Sequence, residues 1–173
     1  MPIDSTKEFK PINISVLTVS DTRTEATDKS GQILAKKIKE KGHGLAHKQI
    51  VKDEKEEIKK ILLNWCNDKK VDVILATGGT GLTGRDTTPE ALDEIKDKDI
   101  PGFGELFRLI SYKKIGASTI QSRAMAVLAK GTYVFALPGS SGAVTDAWED
   151  ILKFQLDSRF RPCNFIELIP RLN

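Results

Sequence analysis

The sequence predicts a three-layer α/β/α domain with a mostly parallel central sheet. Two features of the chain support this prediction. Short, largely apolar runs recur along the sequence, and between them apolar residues repeat at helical spacing among lysines and glutamates. Apolar runs of this kind are typical of strands covered on both faces, as in parallel sheets. Their alternation with amphipathic helices is the pattern of α/β proteins.

The N-terminal region begins with a polar stretch. Residues 1–10 carry several charged side chains, so they predict a flexible N-terminal segment ahead of a single domain at residues 11–173. A length of 173 residues fits one domain with a sizeable core. Residues 12–19 then predict the first buried strand, which ends at the turn-like residues 20–22.

The next elements are two helices with a strand between them. Residues 29–41 predict a lysine-rich helix that ends at Gly42, and residues 45–51 predict a weaker strand. The second helix is predicted from apolar residues at i, i+3, i+4 and i+7, which share one face: Ile58, Ile61, Leu62 and Trp65.

The middle of the chain contains the strongest strand signal. Residues 71–76 predict a buried strand that runs directly into the glycine-rich segment 77–81. Thr88 and Pro89 predict the start of a helix, because proline is favoured at the first helical position. A further amphipathic helix is predicted from four apolar residues at helical spacing: Phe103, Leu106, Phe107 and Ile110.

The C-terminal third predicts a short helix at 122–130 and a last strand at 132–137, which ends in the sequence PGSSG. A final long helix carries its apolar stripe on Val144, Ala147, Trp148, Ile151 and Leu152. Because Trp65 and Trp148 both lie on such stripes, we expect them in the core or at a subunit interface.

Composition narrows the classes of function. The net charge of +3 comes from 27 Lys and Arg against 24 Asp and Glu, and only 6% of the residues are aromatic. Nucleic-acid binding is not expected, because it requires clustered basic residues with stacking aromatics. The chain has no apolar signal segment and no run of about 18 apolar residues, so we expect a cytoplasmic protein without a membrane span.

The cysteines and histidines give no ligand pattern. Cys66 and Cys163 are far apart and lack metal-ligand spacing, so we expect reduced, buried thiols. His43 and His47 have no ligand-like partners and are expected at the surface or an edge. A Ser-His-Asp hydrolase is not expected, because the chain contains no GxSxG motif.

The glycine-rich loop matches two well-known patterns only in part. Residues 79–84 fit the spacing GxGxxG and also the glycine spacing of a P-loop. A P-loop continues with lysine and then serine or threonine, whereas this chain supplies Arg85 and Asp86. A dinucleotide-binding fold needs a helix immediately after the glycines, and residues 86–89 delay it. The sequence therefore favours neither a P-loop enzyme nor an NAD enzyme.

Three predicted strand ends carry polar or glycine-rich sequence. In open parallel sheets, ligands bind beyond the carboxyl ends of the strands, where such loops converge. Glycine lets the backbone approach an anion closely, and free N–H groups can hold phosphate. The candidate substrate-binding residues are therefore Ser20, Asp21, Thr77, Gly78, Gly79, Thr80, Gly81, Pro138, Gly139 and Ser140.

Two aspartates have both a functional and a structural interpretation. Asp86 lies beside the glycine loop, where a divalent cation could join its carboxylate to a phosphate, so it suggests a nucleotide–magnesium site. Its alternative role is to cap the helix that starts near Pro89. Asp53 precedes the second helix, and with Glu56 three residues later it resembles a capping box. From the sequence pattern alone, the capping role of Asp53 is favoured.

Several motifs together resemble one family. They are TGGTG at 77–81, GRDTTPEA at 84–91, IPGFGE at 100–105, QSR at 121–123 and LPG at 137–139. In this order they resemble the MoaB/MogA family, which includes the G domain of gephyrin, and the resemblance extends from about residue 12 to the C-terminus. The segments 103–111 and 161–165 are similar to the MoaB branch in particular.

The resemblance implies a molybdopterin-binding fold and, in active members, adenylylation of the molybdopterin phosphate by ATP with Mg²⁺. It implies that Asp53 and Asp86 are the two essential aspartates that hold the metal, and that Ser122 binds substrate. It also implies a homo-oligomer, either a trimer or a hexamer of paired trimers. The alternative function is a molybdopterin carrier or assembly protein without catalysis. Gln121 and the pair Ser140 and Ser141 depart from the residues that many adenylyltransferases have there.

Overall fold

The structure, a computed structural model, describes residues 2–172. Its strands are β1 (Asn13–Val19), β2 (Gly44–Val51), β3 (Val73–Thr77), β4 (Lys98–Asp99), β5 (Met125–Ala129) and β6 (Thr132–Leu137). Its α-helices are α1 (Lys29–Lys41), α2 (Lys55–Cys66), α3 (Thr88–Ile95), α4 (Pro101–Ile115), α5 (Ser141–Ala147) and α6 (Lys153–Gln155). There are also two 3₁₀ segments. Gly116–Gln121 follows α4, and Ile166–Arg171 lies near the end of the described residues.

The sheet has the order β2-β1-β3-β6-β5-β4. Neighbouring strands from β2 to β6 run parallel, and β5 and β4 add antiparallel pairs at one side. In the register, Thr18 pairs with Thr77, and Thr77 pairs with Leu137. The loops after β1, β3 and β6 therefore leave the sheet side by side, and the predicted mostly parallel sheet is confirmed.

Helices cover both faces of this sheet. One core cluster joins apolar residues of α1, α4 and α5 to one face, and a second joins α2 and α3 to the other. Trp65 lies in the second cluster and Trp148 in the first, and both are buried. This arrangement confirms the three layers, and it confirms that the two tryptophans belong to the packed stripes.

The predicted helix at 122–130 is wrong. Residues Met125–Ala129 form β5, which pairs antiparallel with β6 through a turn at Lys130 and Gly131, both with positive φ. Val127 and Ala129 pack on one face of the sheet, whereas Ala126 and Leu128 pack on the other. Because both faces are buried, the strand shows no alternation of polar and apolar residues, and only its pairing with β6 distinguishes it from a helix.

The final helix is less regular than the sequence predicts. α5 passes through a π-helical segment, Trp148–Leu152, before α6. The apolar stripe nevertheless stays buried along the whole stretch. No helix in residues 2–172 is long and apolar enough to cross a membrane.

The N-terminal segment, predicted to be flexible, lies against the C-terminal region. The backbone N–H of Asp4 donates to the carbonyl of Arg159 at 2.9 Å, and the N–H of Lys10 donates to Ser158 Oγ at 2.9 Å. Ile3 forms an isolated bridge with Phe160. These partners lie near the opposite end of the chain, so the polar composition of residues 2–10 does not predict the contacts. Met1 lies outside the described residues.

Two expectations about single residues are wrong in part. His43 is expected at the surface or an edge; it directly precedes the edge strand β2 but is only 5% exposed, and its Nδ1 accepts a hydrogen bond from the N–H of Ile12 at 3.3 Å. His47 is exposed and paired with Asp68, as expected. Both cysteines are free, but only Cys66 is buried, whereas Cys163 is exposed in the segment after α6. The residues after α6 show no apolar periodicity, so the sequence does not indicate whether Cys163 is buried.

Candidate active site

A cleft of about 430 Å³ opens at the carboxyl edge of the sheet. The loop after β3, the loop after β6 and the segment before β5 line it. Its lining residues are Gly78, Gly79, Thr80, Gly81, Asp86, Gln121, Ser122, Pro138, Gly139 and Ser140. The structure thus brings most of the predicted site residues to one place, although they come from three separate parts of the sequence.

The floor of the cleft is a sharp turn of glycines. Gly78 and Gly79 have φ values of +104° and +63°, a conformation that other residues rarely adopt. A Cβ on Gly78 would lie 2.1 Å from the carbonyl oxygen of Val19, so the close approach of β1 also requires glycine there.

The backbone donors of this turn are partly used. The N–H of Gly78 donates to Leu137 at 2.9 Å, so it is not available to a ligand. The N–H groups of Gly79 and Thr80 make no hydrogen bond to any other residue in the described chain. Successive free N–H groups in such a turn form an anion-binding concavity. The N–H groups at Gly79 and Thr80 could therefore hold an anion, whereas the N–H of Gly78 could not.

Asp86 lies on one side of the glycine turn. Its Oδ2 accepts hydrogen bonds from the Thr83 backbone N–H at 2.9 Å and the Thr83 hydroxyl at 2.6 Å. These bonds, the hydroxyl first, hold the pKa of Asp86 below its usual range. The carboxylate also rests against Gly81, where a Cβ would lie 2.7 Å from Oδ2. Asp86 does not cap α3, whose N-cap is Thr87, so its alternative structural role is not supported.

Asp53 lies against the same turn at Gly79 and is only 7% exposed. Its Oδ1 accepts hydrogen bonds from the N–H and the hydroxyl of Thr87, at 2.9 and 2.8 Å. Its Oδ2 lies 2.7 Å from where a Cβ on Gly79 would be. The capping box with Glu56 is wrong, because the N-cap of α2 is Glu54 and no side chain caps it. Asp53 thus reaches toward the glycine turn and the start of α3.

Asp53 does not line the cleft itself, and three other predicted residues also lie outside its lining. The hydroxyl oxygen of Ser20 accepts hydrogen bonds from the N–H groups of Thr22 and Arg23 in its own turn. Asp21 forms a two-pronged ion pair with Arg85, at 3.1 and 2.8 Å, and this contact lowers the pKa of Asp21. Thr77 is buried and donates from its hydroxyl to the carbonyl of Pro138 at 3.1 Å. These residues shape the cleft without lining it.

Two arginines hold the cleft walls, and the sequence predicts this role for neither, although Arg123 belongs to the QSR motif. Arg23 donates from Nη2 to the carbonyl of Gly139 at 2.7 Å, which fixes the loop after β6. Arg123 donates from Nε to Gly81 at 2.7 Å and from Nη2 to the carbonyl of Asp86 at 2.6 Å. Their partners are backbone carbonyls distant in sequence, so no local pattern could have revealed these roles.

The donor set near the cleft suits a hard cation that shares its ligands with a phosphate. Residues 2–172 contain no group of three or more His, Cys, Asp or Glu residues placed to hold a metal by themselves. Asp53 and Asp86 nevertheless lie against one turn, at Gly79 and at Gly81, and each has one oxygen held by a threonine. Magnesium is commonly bound by one or two carboxylates together with substrate phosphates. The residues present fit that kind of coordination.

The fold and the cleft together define an α/β protein whose mostly parallel sheet carries a glycine-rich cleft at its carboxyl edge. The glycine turn has free N–H groups, and two carboxylates lie against it, Asp53 at Gly79 and Asp86 at Gly81. The sequence matches a family described as "Probable molybdopterin binding domain" over residues 15–158, and the chain belongs to this family.

Individual relatives agree with that assignment. The chain is 48% identical over 158 residues to the molybdenum cofactor biosynthesis protein B of Escherichia coli strain K12, covering 91% of this chain and 93% of the relative. A crystal structure of a molybdenum cofactor biosynthesis protein B superposes with a TM-score of 0.86 at 43% identity, covering 96% of this chain and 98% of that one.

A structure of the tungsten cofactor synthesizing protein MoaB from Pyrococcus furiosus is similar at a TM-score of 0.74 and 36% identity. That match covers 83% of this chain and 91% of the other. The resemblance to the MoaB/MogA family and the predicted fold are therefore confirmed.

Proposed function

We propose that this protein acts in molybdenum cofactor biosynthesis, where it binds molybdopterin and transfers an adenylyl group from ATP to the molybdopterin phosphate. The products are adenylyl-molybdopterin and pyrophosphate. The observation that carries this proposal is the approach of Asp53 and Asp86 to one glycine turn, at Gly79 and at Gly81, whose N–H groups at Gly79 and Thr80 are free. Membership of a family described as a probable molybdopterin binding domain supports molybdopterin as the phosphorylated ligand.

In the proposed reaction, an oxygen of the molybdopterin phosphate attacks the α-phosphorus of ATP. The bond between that phosphorus and the bridging oxygen breaks, and pyrophosphate leaves with the electron pair. The free N–H groups of the turn bind the phosphate oxygens and orient them, while Ser122 and Ser140 stand at the cleft wall to contact the substrates. Catalysis of this kind depends mainly on positioning and on neutralising charge.

The carboxylates of Asp53 and Asp86 would hold Mg²⁺, which neutralises the phosphate oxygens when it is bound. Each aspartate has one oxygen fixed by the N–H and hydroxyl of a threonine, Thr87 or Thr83. That anchoring orients each carboxylate while it remains charged. Without a cation between them, the two acids would repel a phosphate at the same turn, so the charges also favour a metal-dependent reaction.

The test is to incubate the purified protein with molybdopterin, ATP and Mg²⁺ and to detect adenylyl-molybdopterin and pyrophosphate by mass spectrometry. We expect both products from the wild type and from Asp93→Asn, which changes an exposed acid of α3 in the same way. Asp86→Asn should bind molybdopterin but form no product. Molybdopterin binding by the wild type without any product would instead identify a carrier or assembly protein.

We also propose that the protein is a homo-oligomer, a trimer or a hexamer. In support, large apolar side chains are exposed on α4 and the 3₁₀ segment after it: Leu106, Leu109, Tyr112, Ile115 and Ile120. Contiguous apolar surface of this kind marks a contact with another molecule. A cytoplasmic location is proposed as well, because ATP is the co-substrate and both cysteines are free.

A further inference from the structure

One arginine side chain contacts both ends of the loop that carries Asp86. Arg123 Nε donates to the carbonyl of Gly81 at 2.7 Å, and its Nη2 donates to the carbonyl of Asp86 at 2.6 Å. Its Nη1 forms an ion pair with Glu90 on α3. The guanidinium therefore closes residues 81–86 into a ring whose two ends are held at a fixed distance.

Arg123 is itself held by the framework of the fold. Its backbone N–H donates to Thr80 at 3.3 Å, which joins it to the glycine turn. The following residue, Ala124, is held from the other side, because Arg108 Nη1 donates to its carbonyl at 3.1 Å. Arg123 therefore links the loop 81–86 to β5 and α4, so the position of the loop depends on these elements.

The bonds of Arg123 argue against a direct contact with substrate. Its Nε, Nη1 and Nη2 each donate to a protein acceptor, and only 28% of its side chain is exposed. Because Nε and Nη2 are both bonded to the loop carbonyls, the edge that they form is not available for a two-pronged contact with a phosphate. The charge of Arg123 helps to keep Asp86 ionised, although the hydroxyl of Thr83 contributes more to the lowered pKa of Asp86.

We propose that Arg123 is a positioning residue for adenylylation, which fixes the loop 81–86 and thereby the carboxylate of Asp86. The inference rests on the proposed function of the cleft. Lysine keeps the charge but has a single nitrogen, so it cannot bind both carbonyls in the planar geometry of the guanidinium. A loop that is held at one end only lets the carboxylate shift, and misplacement by about 1 Å can cost about 100-fold in rate.

The test compares Arg123→Lys and Arg123→Gln with Glu90→Gln. Glu90→Gln removes the charge of the third partner but leaves both loop carbonyls bound. We expect Arg123→Lys and Arg123→Gln to lower kcat about 100-fold with KM for molybdopterin changed less than about 3-fold. Glu90→Gln should keep kcat within about 3-fold of the wild type. Circular dichroism checks that each variant folds. If Arg123→Lys does not fold, Arg123→Gln tests the inference instead.

A second measurement does not depend on turnover. Amide hydrogen exchange of residues 81–86 should be at least about 10-fold faster in Arg123→Lys than in the wild type, with no such change in Glu90→Gln. Equal protection of these amides in all three proteins would overturn the inference, and so would a raised KM with unchanged kcat. If the wild type forms no product, the proposed function fails, and the exchange rates alone decide whether Arg123 positions the loop.

Discussion

The carboxylate of Asp53 and the N-cap residue of α3, Thr87, are joined by two hydrogen bonds through the same oxygen, at 2.9 and 2.8 Å. The two residues are 34 positions apart, on loops that leave different strands. The contact satisfies the N–H of Thr87 at the helix start and leaves Oδ2 toward the glycine turn. Asp53 therefore stabilises the start of α3 and also places a negative charge next to the glycine turn.

Substitutions at Asp53 should separate these two contributions. Asp53→Asn keeps an acceptor for Thr87, so we expect the free energy of unfolding to fall by less than about 1 kcal/mol. Asp53→Ala leaves two donors unpaired and should lower it by about 2 kcal/mol. Both variants should lose at least about 100-fold in adenylylation, because neither carries the charge. Urea denaturation and the product assay measure the two effects, and full activity of Asp53→Asn would exclude a role for the charge.

The glycines of the loop around Asp86 provide a matched pair. A Cβ on Gly81 would lie 2.7 Å from Asp86 Oδ2, whereas a Cβ on Gly84 would meet no atom within 4 Å. Neither residue has a positive φ, so alanine is compatible with the backbone at both positions. We expect Gly81→Ala to displace the carboxylate and reduce kcat about 100-fold, and Gly84→Ala to stay near the wild type. Equal rates for the two variants would show that the contact of Gly81 with Asp86 does not matter.

The position of the cleft could be predicted from the sequence because its determinants are local. A buried strand that runs into TGGTG places the glycine turn at the edge of the sheet, and a parallel sheet brings the next strand ends beside it. The packing of Trp65 and Trp148 could also be predicted, because helical spacing is a local pattern as well.

The remaining features of the site depend on partners that are distant in sequence. Asp53 and Glu56 have the spacing of a capping box, but the Asp53 carboxylate accepts two hydrogen bonds from Thr87 instead. The strand β5 is specified by its pairing with β6, and Arg123 acts on carbonyl groups that carry no sequence signal. Tertiary contacts override local pattern at each of these positions.

Protonation of His43 should destabilise the protein at mildly acidic pH. Burial lowers the pKa of His43 from 6.5 to about 4, so the folded state favours the neutral ring. The unfolded chain binds the proton first, and stability is therefore lost as the pH falls from about 6.5 to about 4. A shift of this size corresponds to about 3 kcal/mol at most.

His43→Asn isolates this effect, because asparagine can accept from Ile12 and does not titrate. The unfolding free energy of the wild type, measured in urea, should fall more steeply than that of the variant between these pH values. Burial tends to raise the pKa of Asp157 nearby, but hydrogen bonds from Arg159 and Lys41 lower it, so its contribution is lost only below pH 3.8. Parallel curves for the two proteins would contradict the assignment to His43.

The exposed apolar residues of α4 predict where subunits meet. Leu106, Leu109, Tyr112 and Ile115 recur every three residues and form a stripe that winds around the helix by about 60° at each step. Ile120 beyond them is 83% exposed. Leu109→Lys places a charge in the middle of this stripe, which an apolar interface cannot accommodate without a large desolvation cost. Leu168→Lys changes an exposed leucine elsewhere on the protein and is the matched control.

Light scattering should give the wild type and Leu168→Lys a mass of three or six times 19.1 kDa, and Leu109→Lys a mass of 19.1 kDa. A wild-type mass of 19.1 kDa would refute the oligomer. An unchanged oligomer in Leu109→Lys would place the interface on another surface. Because Gln121 and Ser122 follow directly after Ile120 and line the cleft, loss of the interface should also weaken molybdopterin binding. Titration of the wild type and of Leu109→Lys with molybdopterin measures that coupling between assembly and the site.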